Sequence, residues 1–162
     1  MGITAEIKAN EFLNVGLSYI SDLADTNSLD FDNNKYSKGI DGLGVNASVK
    51  HNKLKLSAEA ISALGNFKEL DNDRNKPQAW NLELNYAPSK IMDWTVRYAG
   101  SKEIEDEPYK QLGISATWHT NKNIHFTVEY LRNNYKRGLV TDEQDNLLDK
   151  SKLIAGRMSI LF

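Results

Sequence analysis

The sequence contains no cysteine, which excludes disulfide bonds, thiolate metal sites and cysteine nucleophiles. It has no apolar run approaching the ~18 residues that a membrane-spanning helix needs. Together with a mean hydropathy of −0.55, this excludes a helical membrane protein. The formal net charge of −2 provides no basic field, so we predict no nucleic-acid partner.

What the chain does contain is a two-residue alternation of apolar and polar side chains, clearest over residues 78–101. Because successive side chains of a strand point to opposite faces, this period indicates β-structure with one apolar face. The first strand carries Trp80, Leu82, Leu84 and Tyr86 on that face. After a proline-containing turn at 87–93, Trp94, Val96 and Tyr98 continue the pattern.

The same alternation recurs along the chain and predicts about nine strands. Their apolar rows fall within residues 3–7, 15–19, 43–49, 54–60, 80–86, 94–98, 112–118, 124–130 and 154–162. Between them, short turns at 9–13, 51–53, 87–93 and 119–123 alternate with long polar loops at 24–38, 65–77, 102–108 and 133–150. Tight turns at one end and long loops at the other are typical of outer-membrane barrels. The sequence therefore predicts an all-β fold, an antiparallel up-and-down transmembrane β-barrel in one domain spanning residues 1–162.

Aromatic side chains stand near the ends of the apolar rows. Indole and phenol rings favour the membrane–water interface, because they are apolar with one polar group. We predict this position for Trp80, Tyr86, Trp94, Tyr98, Trp118, Tyr130 and Phe162. The alternative is that they are core aromatics of a soluble, lipocalin-like barrel whose aliphatic rows point inward. The terminal Phe162, with apolar residues two and four positions before it, is similar to the C-terminal recognition signal of bacterial outer-membrane proteins.

The opposite faces of the strands carry polar and charged side chains, and a charge on the lipid face would cost about 2–4 kcal/mol at the midplane. We therefore predict that they face the lumen: Lys55, Glu59, Asn81, Glu83, Arg97, Gln111, His125, Glu129 and Arg157. In a wide barrel they would line a hydrated channel. In a small closed eight-stranded barrel they would form a salt-bridged polar core, since that interior is only wide enough for side chains. Such a barrel would have a structural role or would bind through its loops.

No spacing of histidine, serine and acidic residues predicts a nucleophile with its base, and the acidic loops do not follow a calcium-binding pattern. We predict that the chain is not an enzyme and binds no metal or cofactor.

The strand count raises a question of parity. If the short turns are periplasmic, nine strands place Met1 on the external side, whereas an intact bacterial barrel has an even number of strands. Either the first alternating segment is not a membrane span and the barrel has eight strands, or the chain is the C-terminal part of a larger barrel. We favour the second. Since the sequence is strand-like directly after Met1, we expect a mature form or a piece of a longer protein.

Three segments carry a resemblance to a family: NEFLNVGLSYISDLAD at 10–25, PQAWNLE at 77–83 and VEYL at 128–131. The chain resembles the C-terminal half of the LbtU-type siderophore porins of Gram-negative bacteria. This resemblance implies an outer-membrane channel for ferric-siderophore or other polar solute uptake. Its partners would be outer-membrane lipid, lipopolysaccharide and the solute. The sequence does not predict the oligomeric state.

Overall fold

The computed structural model describes residues 2–23, 39–67, 76–104, 107–136 and 149–160. Every regular element in this part of the chain is a strand, as the alternation predicts. The nine strands are β1 (Gly2–Lys8), β2 (Leu13–Ile20), β3 (Gly42–His51), β4 (Leu54–Ala63), β5 (Gln78–Ser89), β6 (Met92–Lys102), β7 (Lys110–His119), β8 (Ile124–Asn134) and β9 (Lys150–Ile160). No helix in these ranges is long and apolar enough to cross a membrane.

All nine strands belong to one sheet, in the order β1 to β9, and each strand pairs antiparallel with the next. The predicted all-β, antiparallel up-and-down fold is therefore confirmed. β1 pairs with β2 over its whole length, from Gly2 opposite Ile20 to Lys8 opposite Asn14, so it is a full member of the sheet. Within the described residues β1 and β9 each pair along one edge only, and the sheet is not closed.

The register keeps one face of the sheet apolar from strand to strand. Directly opposed residues of an antiparallel pair lie on the same face. One such row crosses five strands and contains Leu56, Leu84, Val96, Ile114 and Tyr130. The next row along the strands, on the other face, contains Ser57, Glu83, Arg97 and Gly113. We call these the apolar face and the polar face.

Exposure of the two faces is the reverse of that in a water-soluble protein. Large aliphatic side chains of the apolar face are exposed, for example Leu82 at 42%, Val96 at 43% and Ile114 at 46%. On β5 to β8 the polar face is half-buried, and the charged side chains of Arg97 and Glu129 are 31% exposed. Few apolar residues are buried in the described chain: Ile40, Ala63, Phe67, Ala116 and Leu131.

The sheet curves around its polar face. A single cavity on that face is lined by residues of five consecutive strands, from Glu83 on β5 to Arg157 on β9. In a flat sheet with strands ~4.8 Å apart, the outer two of five strands would be ~19 Å apart. Side chains from all five strands can meet one small cavity only if the polar face is concave. The exposed apolar face is therefore the convex side of the sheet.

The connections are sorted by length as the sequence predicts. Residues 9–12, 52–53, 90–91 and 120–123 form the short turns, all at one end of the sheet. The strand ends joined by the longer connections, at 21–41, 64–77, 103–109 and 135–149, lie at the other end. Most residues of the predicted loops at 24–38, 65–77 and 133–150 lie outside the described residues.

The hairpin between β5 and β6 is tighter than predicted. The strands continue into the expected turn at 87–93, and only Lys90 and Ile91 remain between them. A register shift between Tyr86 and Ser89 makes this possible, because a bulge places Pro88, which has no N–H to donate, outside the regular ladder. The turn between β3 and β4 contacts this bulge, since the Lys53 ammonium donates a hydrogen bond to the Pro88 carbonyl at 2.6 Å. The last hairpin is also longer than predicted, with Asn134 opposite Lys150.

At the long-loop end, a small apolar cluster joins two connections to the sheet. Phe67, Ala63 and Ile40 are buried, with Leu23 packed against them. The backbone supports the same arrangement: Leu23 N–H donates to the Ile40 carbonyl at 2.8 Å. The ends of the 21–41 and 64–77 connections are therefore held together by burial and hydrogen bonding.

Candidate functional site

The cavity on the polar face has a volume of about 260 Å³. Four charged side chains line it, two carboxylates and two guanidinium groups: Glu83, Glu129, Arg97 and Arg157. Between them lie four hydroxyl side chains and one glycine: Thr95, Ser115, Thr117, Thr127 and Gly113. Among the described residues, no aromatic or aliphatic side chain lines it. The cavity is therefore a polar space whose walls carry balanced charge.

An ion pair crosses the middle of the cavity. The Arg97 guanidinium on β6 donates to a Glu129 carboxylate oxygen on β8, at a distance of 2.9 Å from Nη2 to Oε1. β7 lies between these strands, and Gly113 is the residue directly opposite Arg97. A Cβ atom at Gly113 would lie 3.5 Å from Arg97 Nε and 2.9 Å from Leu131 Cδ2. The missing side chain of Gly113 leaves the space through which Arg97 reaches across β7.

Within the described part of the chain, the other two charged side chains of the cavity have no ionic partner. Glu83 lies opposite Arg97 in the β5–β6 register, but neither Glu83 nor Arg157 forms an ion pair or side-chain hydrogen bond with any described residue. Arg97 Nε is buried and also lacks an acceptor within the described chain. A buried donor without an acceptor costs about 1–3 kcal/mol. The cavity thus offers free donors and a free carboxylate to a bound molecule or to water.

Three of the hydroxyl side chains that line the cavity form cross-strand hydrogen bonds. Thr117 and Thr127 lie opposite each other on β7 and β8, with their hydroxyl oxygens 2.9 Å apart. The Asn85 amide donates to the Thr95 hydroxyl at 3.1 Å. Such cross-strand hydrogen bonds restrict the rotamers of these side chains and stabilise the pairing of the strands that carry them.

At the short-turn end, a second polar row lies beyond the cavity. His119 on β7 stands between Asp93 on β6 and His125 on β8. Its Nε2 is 2.7 Å from Asp93 Oδ2, and its Nδ1 is 2.7 Å from His125 Nδ1. Of the two Nδ1 atoms that face each other, one must carry the proton and the other must accept it. Ser159 lies opposite His125 but does not hydrogen-bond to it, so the row lacks the nucleophile–base contact of a hydrolytic site.

At the long-loop end, a third polar row joins β7, β8 and β9. The Gln111 amide donates to the Asn133 side-chain oxygen at 3.0 Å, and the Asn133 amide donates to the Ser151 hydroxyl at 3.1 Å. Asn133 is buried, so these bonds satisfy an amide that water does not reach.

The structure places all nine residues that we expected to face the lumen on the polar face, by the register of their strands. Glu83, Arg97, Glu129 and Arg157 meet in the cavity. Gln111 and His125 belong to the two polar rows at its ends. The other three residues, Lys55, Glu59 and Asn81, lie on β4 and β5 and do not line the cavity. The side chains of Lys55 and Glu59 are exposed, and so is that of Arg157 on the edge strand β9.

Sequence reasoning did not single out Thr95, Thr117, Thr127 or Gly113. Their positions in the alternation are the same as those of the charged residues, so the same rule places them on the polar face. Small hydroxyls carry no distinctive chemical signal, and the role of Gly113 depends on which residue lies across from it. The register of β6, β7 and β8 is needed to show that Gly113 lies between Arg97 and Glu129.

Six of the seven residues predicted as interface aromatics are described, and all six lie on the apolar face. Tyr86, Trp94, Tyr98, Trp118 and Tyr130 are exposed. Trp80 is half-buried, because its indole covers Gly100 on the neighbouring strand and meets the Tyr98 ring edge-on at a centroid distance of 4.8 Å. Phe162 lies outside the described residues.

Within the described ranges, no group of three or more His, Cys, Asp or Glu side chains could hold a metal ion. In comparisons with known proteins, no family model matches the chain and no curated protein matches it.

Replacing Gly113 with valine should break the ion pair in the cavity, since the branched side chain would occupy the space that Arg97 crosses. We expect the free energy of unfolding to fall by about 1–2 kcal/mol, because Glu129 is left without its partner. Urea titration measures this. The matched control is Gly156→Val, since a Cβ atom at Gly156 meets nothing within 4 Å. Equal stability of the two variants would show that the pair does not depend on Gly113.

Proposed function

We propose that the chain forms part of a porin-like β-barrel channel in the bacterial outer membrane and that small polar solutes pass along its polar face. The observation that carries this proposal is the reversed exposure of the two faces. The aliphatic rows are exposed on the convex side, whereas the charged residues of β5 to β8 are half-buried around a concave polar cavity.

An exposed aliphatic face is favourable when it contacts lipid acyl chains instead of water. A row such as Leu84, Val96 and Ile114 loses its contact with water when it meets acyl chains, at about 25 cal/mol per Å² of apolar area. A water-soluble β-barrel would instead turn the aliphatic rows inward. The exposures on both faces therefore favour a membrane barrel over the lipocalin-like alternative.

The open edges favour a larger barrel over a closed eight-stranded one. β1 is a paired strand, so the described sheet has nine strands rather than eight. Backbone N–H and C=O groups cannot stay unpaired in lipid, so the free edges of β1 and β9 need partners. We propose that further strands complete the ring and that the lumen is wide enough for hydrated solutes. Closed barrels of only eight strands are filled by their own side chains.

The finer proposal, uptake of a ferric siderophore, rests on the resemblance of three segments to LbtU-type porins. On this proposal the apolar face contacts outer-membrane lipid, and the long connections face lipopolysaccharide. The charged polar face suits a polar solute of either kind, siderophore or other.

Planar-bilayer conductance tests the channel. Because further strands must complete the ring, many copies of the purified chain are refolded together from urea into lipid, so that copies can pair at their free edges. The product is checked for β-structure by circular dichroism and for assembly size by cross-linking, and is then added to one side of a bilayer. We expect discrete, ohmic conductance steps and swelling of liposomes in a small sugar. β-structured protein that inserts into the bilayer but passes neither ions nor sugar would overturn the proposal. Uptake of a ferric hydroxamate into the same liposomes, against an iron-free dye of equal size, tests the siderophore part separately.

A further inference from the structure

The charges on the cavity wall are balanced, and this limits which solutes gain from entering. Glu83 and Glu129 contribute two negative charges, and Arg97 and Arg157 contribute two positive charges. One charge of each sign is already used in the ion pair between Arg97 and Glu129. A simple anion or cation would be attracted by one of the remaining groups and repelled by the other.

The two remaining charges lie on opposite sides of the same space. Glu83 is on β5 and Arg157 is on β9, the first and last of the five strands that line the cavity. Neither residue makes an ion pair within the described chain, so no ion pair has to be broken before a solute binds to them. A molecule with a cationic group at one end and an anionic group at the other can satisfy both together.

The cavity wall between Glu83 and Arg157 carries groups that can hydrogen-bond to the central part of such a molecule. Thr95, Ser115, Thr117 and Thr127 supply hydroxyls that both donate and accept hydrogen bonds, as amide groups require. The buried Arg97 Nε supplies one more donor without an acceptor in the described chain. At about 260 Å³ the cavity is smaller than the ~300–1,000 Å³ typical of sites for drug-sized ligands, which favours a short molecule.

We infer that the cavity is a binding site for short zwitterions of the dipeptide class, with the ammonium group on Glu83, the carboxylate on Arg157 and the amide on the hydroxyl wall. This inference rests on the proposed channel for its biological role, as the site at which the channel selects its solute. The binding itself depends only on the described cavity.

The test compares two probes and two double variants. Glycylglycine is the zwitterion, and N-acetylglycinamide is an uncharged amide of similar size. Binding of each to the full chain, folded in detergent micelles, is measured by nuclear magnetic resonance titration, and block of ion current by each is measured in bilayers. The site variant is Glu83→Gln with Arg157→Gln. The control is Glu59→Gln with Lys55→Gln, which removes one charge of each sign from the same face outside the cavity.

We expect the chain to bind glycylglycine more tightly than N-acetylglycinamide, and the site variant to lose about tenfold in glycylglycine affinity, as expected for removal of charge-assisted hydrogen bonds. The control variant should keep the preference. Equal binding of the two probes, no binding of either, or an equal loss in both variants would overturn the inference. Conductance without a preference for the zwitterion would support the proposed channel and overturn the proposed binding site. Zwitterion binding without conductance would support the proposed binding site and overturn the proposed channel.

Discussion

Arginine in place of Ile114 is expected to destabilise the protein in lipid by about 2–4 kcal/mol, because the proposed membrane barrel places this side chain on its lipid face near the bilayer midplane. Ile114 lies midway along β7, on the exposed convex face between Leu112 and Ala116. Its cross-strand neighbour Val96 lies near the middle of β6. Urea unfolding in phospholipid vesicles measures the change.

The control is the next residue along the same strand. Ser115 points to the polar face and lies opposite Glu129, so an arginine there can reach a carboxylate and water. We expect Ser115→Arg to cost well under half as much as Ile114→Arg. If both arginines are tolerated equally in vesicles, the convex face does not meet hydrocarbon and the membrane assignment fails.

Replacing Phe67 with alanine is the second large effect. Phe67 is 1% exposed and is the largest fully buried side chain in the described part of the chain. Truncating a buried phenylalanine costs about 3–5 kcal/mol, as the sum of lost transfer free energy and the cavity left behind. Because its cluster is small, we expect a value near the lower limit, about 3 kcal/mol, in the same vesicle assay.

Leu64→Ala provides the comparison for Phe67→Ala. Leu64 belongs to the same connection after β4, and its side chain is 51% exposed. We expect a loss below about 1 kcal/mol, since little buried area is removed. Similar losses at the two positions would mean that the apolar cluster with Ile40 and Ala63 does not anchor the long connections. A large loss at Phe67 together with unchanged conductance would show that the cluster stabilises the long-loop end without shaping the solute path.

The polar face combines an ordered wall with unpaired charge, and these two properties have different consequences. The Arg97–Glu129 pair and the threonine pair each use cross-strand hydrogen bonds, so they stiffen the wall. Glu83 and Arg157 make no such bonds with the described residues, and both line the cavity that a solute would enter. A face on which every charge was paired would resemble the polar filling of a narrow barrel instead.

The sequence alone determined where the strands run, which residues share a face and how the connections are sorted by length. These are local properties, because the two-residue alternation of a strand follows from its own backbone geometry. The rows at Trp80 to Tyr86 and at Leu112 to Trp118 could therefore be assigned without knowing their neighbours. Where the local signal was mixed, as at Ala87 and Pro88, the turn was predicted too wide.

Only the tertiary structure decided what lies beside what. The contact of Arg97 with Glu129 across Gly113, and the row from Asp93 through His119 to His125, depend on the register of three strands. Register is set by pairing between segments far apart in sequence, and the curvature that gathers five strands around one cavity is a property of the whole sheet. The open edges of β1 and β9 are likewise visible only when all nine strands are placed together, because pairing is a relation between strands.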